Sequence, residues 1–421
     1  MQPISKLFFA PRDDAIKRGL GTRRGRPEAI MWRTMRLLGL FLLLLLTVLG
    51  AVTPLHAQQI GKFVAIPAGS GVDNALTEIN AATDPTQKLA LIDKYATQLG
   101  QGDFAIIFDE QYVNFYLAQK NYDKAFEYGD KLFAADPDSL SNAVSMVRAA
   151  GEKGDPDKLI GYGEKAAGIL KRFKESPAPS GTSAETWERT KAQTLAANND
   201  SITYLQQVIY NGAYQSKDAA KRAGILARFA QLFPDSPYAN TALGVAATSY
   251  QQAQNPAKML EVANGLLAKD PENLGMLLLL SDYYSEKGEQ LDKAEAYAKK
   301  AIAALGTAKK PEGASDEQWQ QQTTLQKGLA LSALGQVSME KKDNAQAIVN
   351  LRLAAPLLKS NAGSYARNQY RLGFALLNLK KIPEAKEALT QAASVSSPYK
   401  ALAEEKLKAI SGPAGARKKA S

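Results

Sequence analysis

The sequence predicts an all-α fold, and three observations carry that prediction. Beyond residue 70 the chain is rich in Ala, Leu, Lys, Gln and Glu, which are good helix formers. Its apolar residues recur at helical spacing, with no alternating run of β-branched residues. Breaks come at regular intervals: DPDS at 136–139, FPDSPYA at 233–239, DPEN at 270–273 and SSPYKA at 396–401. Between the breaks, small or compact apolar residues keep a fixed rhythm. Gly373 is followed twelve places later by Ala385 and seven later by Ala392. Gly335, Ala347 and Ala354 repeat the spacing, as do Ala247, Met259 and Leu266, then Val113, Ala125 and Leu132, and Val147, Leu159 and Ala166.

The rhythm has a steric meaning. Two helices of a hairpin approach most closely where side chains are small, so Gly or Ala belongs at the crossing and larger residues fill the flanks. Proline then ends the second helix, because it cannot continue it. One hairpin cannot bury its apolar stripe alone, whereas stacked neighbours can. The unit QYVNFYLAQKNYDKAFEYGDKLFAADPDS at 111–139 reads as two helices with Asn121 in the turn.

This spacing resembles the tetratricopeptide repeat over roughly residues 105–398. The units at 111–137, 240–271, 334–355 and 369–397 match it closely. The units at 140–173, 203–237 and 272–306 match it more loosely. In the last of these Ala294 and Ala301 fit, while the turn EKGEQLD carries an extra residue. The family's Trp in the first helix is absent from every unit. The resemblance implies a right-handed α-solenoid of about seven stacked helix-turn-helix hairpins. Residues 83–100 would add a degenerate entry hairpin and 399–410 a polar capping helix.

Two nonapeptides punctuate the array. PSGTSAETW at 179–187 and PEGASDEQW at 311–319 share Pro, Gly, Ser, Glu and Trp at five matching places. Pro and Gly form the turn, and Ser183 and Ser315 stand where an N-cap belongs. Glu185 and Glu317 suit the positive end of a helix. Each is therefore a helix start signal, placed well before the repeat pattern resumes, and predicts an unusually long helix. Trp187 lies 23 residues before Tyr210, and Trp319 lies 16 before Gly335. Repeat, repeat, insert, repeat thus occurs twice, which suggests an internal duplication.

The resulting division is a 1–57 extension with an export segment, a 58–70 linker and degenerate entry helices at 71–104. A first block follows at 105–237 with insert 174–202, then a second at 238–360 with insert 309–327. A final repeat and cap at 361–410 and a disordered basic tail at 411–421 close the chain.

Residues 31–57 carry Arg33 and Arg36, an uncharged run from Leu37 to Val52, and Ala57 before a polar pair. That is the layout of a secretory signal peptide, with an uncleaved membrane anchor as the alternative. Met31 or Met35 is the expected natural start, with residues 1–30 a disordered extension. The expected location is exported, in the periplasm or bacterial cell envelope; the alternative is an inner-membrane anchor with the repeats outside the cytoplasm.

Charge and composition exclude much. The formal charge is +10, but residues 1–57 hold nine Lys/Arg against three Asp/Glu, leaving 43 against 39 for the remainder. So mild a balance does not point to nucleic acid. There is no cysteine, and the one histidine, His56, lies in the export segment. Cys-His and Ser-His-Asp nucleophiles and the usual zinc ligand sets are therefore absent from a mature chain. No cofactor is expected, and no metal.

In tetratricopeptide arrays the first helices line a concave groove that holds a peptide or a helix. The resemblance, with the periodicity, puts Asn114, Thr248, Gln251, Gln252, Arg367, Tyr370, Phe374 and Asn378 on that face. Trp187 and Trp319 are further candidate contact points, as Trp is enriched at binding hot spots. Tyr112, Tyr116, Tyr250, Tyr283 and Tyr284 are expected to serve packing. Asp109, Glu110 and Asp282 are the acids that glycoside cleavage would require. The expectation is a non-catalytic scaffold that binds a protein or peptide partner. The alternatives are a carboxylate-dependent α-helical glycan-binding or glycan-cleaving enzyme, and a membrane-tethered assembly factor.

Overall fold

The computed structural model describes residues 59–411. The expected export segment, the residues before it and the basic residues 417–421 lie outside that range. Among the described residues the regular structure is entirely helical. No helix there is long and apolar enough to cross a membrane.

The chain divides into two compact units. Among the described residues the first holds everything up to Ala213 together with 232–236, and the second holds 214–231 and 237 onward. The first unit opens with α1 (Gly71–Ala81) and α2 (Pro85–Leu99). It continues through α3 (Phe104–Ala118) with α4 (Tyr122–Ala135) and α5 (Leu140–Lys153) with α6 (Pro156–Glu175). It ends with α7 (Ala184–Ala197) and α8 (Asn199–Tyr214). The second unit contains α9 (Ala219–Leu232), then α10 (Ala239–Gln252) with α11 (Pro256–Lys269) and α12 (Leu274–Lys287) with α13 (Leu291–Thr307). It closes with α14 (Asp316–Glu340) with α15 (Asn344–Leu357), α16 (Ala362–Asn378) with α17 (Ile382–Ala393), and α18 (Tyr399–Ser411).

The hairpins fold around the residues that the rhythm marks. Val113, Ala125, Leu132, Val147, Leu159, Ala166, Ala247, Met259, Leu266, Ala294, Ala301, Ala347, Ala354, Ala385 and Ala392 are all buried. At the glycine crossings the fit is close enough to exclude a side chain. A Cβ on Gly335 would lie 2.5 Å from Leu351 Cγ, and one on Gly373 would lie 2.6 Å from Leu389 Cγ. In α6, Gly163 is likewise a crossing point, since its Cβ would meet Ile209 Cδ1 at 2.8 Å. Gly161, two residues earlier, faces open space and is not.

One turn joins the helices of six hairpins. Lys120, Gly154, Gln254, Gly288, Lys342 and Lys380 all adopt positive φ just past the first helix. The next residue's N–H then returns to a carbonyl five places back: Asn121 to Tyr116, Asp155 to Ala150, Asn255 to Tyr250, Glu289 to Tyr284, Asp343 to Ser338 and Lys381 to Leu376. This closes the orphan carbonyls of the helix end. Asn121, Asp155, Asn255 and Asp343 at once cap the following helix through side-chain oxygens. Glu289 is followed by the extra residue Gln290, also at positive φ, and α13 starts without a side-chain cap.

Ser183 and Ser315 are N-caps, accepting from Thr186 N–H and Gln318 N–H at 3.2 Å each. The helix after Ser315 is long, with 25 continuous residues in α14. The helix expected after Ser183 is not: it stops at Ala197 and resumes at Asn199 as α8. The sequence there runs Asn198-Asn199-Asp200. Asn198 turns out of helical geometry, and its Nδ2 donates to Thr194 O at 2.8 Å, competing for a backbone acceptor.

The described part of the 58–70 stretch is docked. Ile60 is buried, its carbonyl accepts from Leu140 N–H at 3.1 Å, and Lys62 N–H donates to Asp136 Oδ2 at 2.7 Å. Gly61 permits this approach, with φ of +122° and a hypothetical Cβ 2.6 Å from that same oxygen. At the other end α18 covers Leu389 and Ala392 with Ala403, as a capping helix should. In the first unit α1 and α2 bury Ile79 and Ile92 against Phe108 of α3.

Two glycine substitutions should move stability in opposite directions. Gly335→Val overpacks a crossing and should lower unfolding free energy by about 1–3 kcal/mol. Gly161→Ala fills open space on a helix and should raise it by about 0.5–1 kcal/mol. Denaturant melts of the two variants check both signs.

Candidate functional site

The first helices of the second unit form a layer of their own. α12 packs directly on α14, and α14 on α16, besides each helix's contact with its own partner. Within that layer two acids meet two bases. Asp282 and Glu286 stand one turn apart on α12, and Arg367 and Arg371 one turn apart on α16. Arg367 Nη1 donates to Asp282 Oδ2 at 3.0 Å, and Nη2 lies 2.9 Å from Oδ1. Glu286 Oε1 lies 3.6 Å from Arg367 and also accepts from Arg371. Arg371 Nη1 further donates to Ser332 of α14, to its hydroxyl at 3.0 Å and its carbonyl at 3.3 Å. Three first helices are thus tied through one cluster.

The cluster is shielded from water except at one corner. The Arg371 side chain is 4% exposed and Asp282 16%, against 41% for Glu286. Burial alone would raise the Asp282 pKa. The charges of Arg367 and Arg371 outweigh it and hold the carboxyl below the ordinary aspartate value. Burial lowers Arg371, and Arg367 beside it adds to the effect. Arg367 ends above the usual arginine range, because Asp282 and Glu286 overcome its burial. An aspartate held ionised in this way cannot deliver a proton at neutral pH. Asp282 is therefore unsuited to the general-acid role that glycoside cleavage requires.

The structure sorts the groove residues expected from the sequence. Thr248 is not on an open face: it is buried, and its hydroxyl donates to Gly244 O and Val245 O within its own helix. Gln252 Oε1 accepts from Arg222 Nη2 of α9 at 2.6 Å, and the same guanidinium reaches Ser249. Arg367 faces inward, but into the cluster. Gln251 is half-buried, and so is Tyr370, whose ring tilts against Tyr399 at 5.7 Å. Phe374 is exposed, as is Asn378, which donates to Asn344 at 2.9 Å. In the first unit Asn114 is exposed on α3.

The two tryptophans are half-buried. Trp187 Nε1 donates to Ser176 O at 2.9 Å, and its ring meets Phe173 edge-on, which fastens α7 to the end of α6. Among the tyrosines, Tyr112, Tyr250 and Tyr284 are buried, and Tyr112 stacks on Tyr128 at 4.1 Å. Burial raises the pKa of Asp109, partly offset by Lys131, and raises that of Glu110, reinforced by Asp136. No cluster of His, Cys, Asp and Glu among the described residues could hold a metal.

The crossings, turns and first-helix layer make each unit a set of helical hairpins whose spacing resembles the tetratricopeptide repeat. No family model matches the chain, and no curated protein does. Solved structures that it is similar to include the Cut9–Hcn1 hetero-tetramer of the APC/C, at 15% identity and a TM-score of 0.37, covering 81% of this chain and 57% of that one. The chain thus spans little more than half the length of that relative. Others are the apo quorum sensor NprR from B. thuringiensis, at 12% and 0.30 over 80% and 81%, and yeast Tom70, at 13% and 0.29 over 81% and 96%.

Each acid answers one buried guanidinium most closely, Asp282 that of Arg367 and Glu286 that of Arg371. Asp282→Ala and Glu286→Ala should therefore each destabilise by about 3 kcal/mol, and urea melts measure both losses. The depressed Asp282 pKa also gives a sign. Its stabilisation is fully present above the ordinary aspartate value and is lost as pH falls through the lower, folded one. Asp282→Asn should flatten the acid limb of stability below about pH 4.

Proposed function

We propose that this protein is a non-catalytic scaffold of the bacterial cell envelope that binds a partner protein or peptide on its first-helix face. The observation that carries the reading is the solvent-facing end of the α16 stripe. There Phe374 and Asn378 stay exposed, one and two turns beyond the Arg371 that the fold consumes. An exposed aromatic next to a primary amide supplies an apolar contact and a hydrogen-bonding group for a peptide backbone. Asn114 is an exposed amide on the first unit. Nucleic acid is not the proposed partner, because the charge outside residues 1–57 is nearly balanced. The apolar run from Leu37 to Val52 supports export, and any membrane association would come through it.

The test is capture from envelope extracts by the tagged full chain with a photo-crosslinking residue at position 374. A protein should be captured there and not with the crosslinker at Val349, which is exposed on the second helix α15. Asn378→Ala beside the crosslinker should cut that capture about tenfold. Capture that ignores Asn378→Ala, or that favours position 349, contradicts the reading. Sequencing the N-terminus of the same preparation should give Gln58; an intact leader would favour the tethered form instead.

A further inference from the structure

Two junctions between hairpins, one in each unit, share a sequence frame 134 places apart. Asp136-Pro137-Asp138-Ser139-Leu140 joins α4 to α5, and Asp270-Pro271-Glu272-Asn273-Leu274 joins α11 to α12. Their backbones agree bond for bond. Asp136 has φ −136° and ψ 90°, Asp270 φ −130° and ψ 86°. The N–H of each aspartate returns to a leucine carbonyl, Leu132 at 2.7 Å and Leu266 at 2.8 Å. Each Oδ1 accepts from the N–H two residues on, at 3.1 and 3.2 Å. Ser139 and Asn273 cap the helix that follows.

The first junction is occupied. The Ile60 carbonyl accepts from Leu140 N–H, Lys62 N–H donates to Asp136 Oδ2, and Gly61 passes between them with no room for a Cβ. With this segment in place Ile60, Asp136 and Leu140 are all buried. The second junction presents the same groups uncovered. Asp270 is exposed and Leu274 half-buried. Among the described residues no acceptor meets Leu274 N–H, and Asp270 Oδ2 takes only the Asn273 side-chain amide, at 3.3 Å. Leu267 and Leu274 pack on the apolar group of Leu277 and Leu278, and both keep part of their surface open. A donor, an acceptor and an apolar edge thus stand as they do where Ile60 and Gly61 dock.

We propose that the Asp270–Leu274 junction is a docking site for an extended segment of a partner protein in which a large apolar residue is followed by glycine. The carbonyl of the apolar residue accepts from Leu274 N–H, and the N–H after the glycine donates to Asp270 Oδ2. Main-chain bonds of this kind supply affinity, and the apolar edge and the glycine supply selectivity. The residue after the glycine is free to vary. Lys62 Nζ meets Asp103 at 2.6 Å in the first unit, but the corresponding position in the second is Pro237. The site uses neither Phe374 nor Asn378, so it is independent of the first-helix reading.

The chain itself supplies the probe. A fluorescent peptide of residues 58–64 is titrated against the full chain and followed by anisotropy. Binding should saturate with a Kd below about 1 mM. Gly61→Val in the peptide should weaken it about tenfold or more, because the added side chain meets the junction. Asp270→Ala in the chain should weaken it about tenfold, and Asp270→Asn, which keeps an acceptor oxygen without the charge, by less. No saturation up to that concentration, or saturation indifferent to the Asp270 variants, overturns the proposal; indifference is what exchange with Ile60 at the Asp136 junction would give. Asp270→Asn decides the matter even if Asp270→Ala does not fold. The readout involves no first-helix residue, so partner capture at position 374 stands or falls separately.

Discussion

Close approach of two helices at a small side chain is the constraint on which the rest of this structure depends. At Gly335 and Gly373 the facing leucine occupies the volume a Cβ would need. Where alanine replaces glycine, the residue is fully buried at the same point of the hairpin. Contact this close brings the larger apolar residues of both helices into register and leaves each hairpin an apolar flank that only a neighbour can cover. Stacking, and with it a layer of first helices, follows from that geometry.

The second level of order is polar. The recurring turn uses a residue at positive φ and a returning N–H to end one helix and, in four of the six turns, an Asn or Asp cap to begin the next. Such short turns keep the paired helices antiparallel and their crossing points level. The guanidinium–carboxylate cluster then acts between hairpins, tying α12 and α16 together across α14. Backbone capping is local and repeated in six turns, whereas this cluster occurs once among the described residues and distinguishes one stretch of the array.

Much of the fold was legible because steric demands leave a direct trace in residue type. Gly335, Ala347 and Ala354 could be read as a crossing from spacing alone, and Ser183 and Ser315 as caps from the residues that follow them. The interruption at Asn198 was missed because the apolar pattern continues through it; the signal was the polar run Asn198-Asn199-Asp200. The turn conformation was equally hidden. Four of its six positive-φ positions are Lys or Gln rather than Gly, so composition does not mark them.

The candidate face was legible only in outline. Thr248, Gln252 and Arg367 have the right register, but what fills the space before them comes from elsewhere in the chain. For Arg367 that neighbour is 85 residues away. A trace was present, in paired acids at 282 and 286 answered by paired arginines at 367 and 371, yet it needs the stacking distance before it means anything. The claim most open to direct test is the steric one. A double-mutant cycle of Gly335→Val and Leu351→Ala, followed by urea unfolding, measures whether those two positions share one volume. Removing the leucine should lower the penalty of the added valine by about 1 kcal/mol or more, and additive effects within about 0.5 kcal/mol would contradict the account.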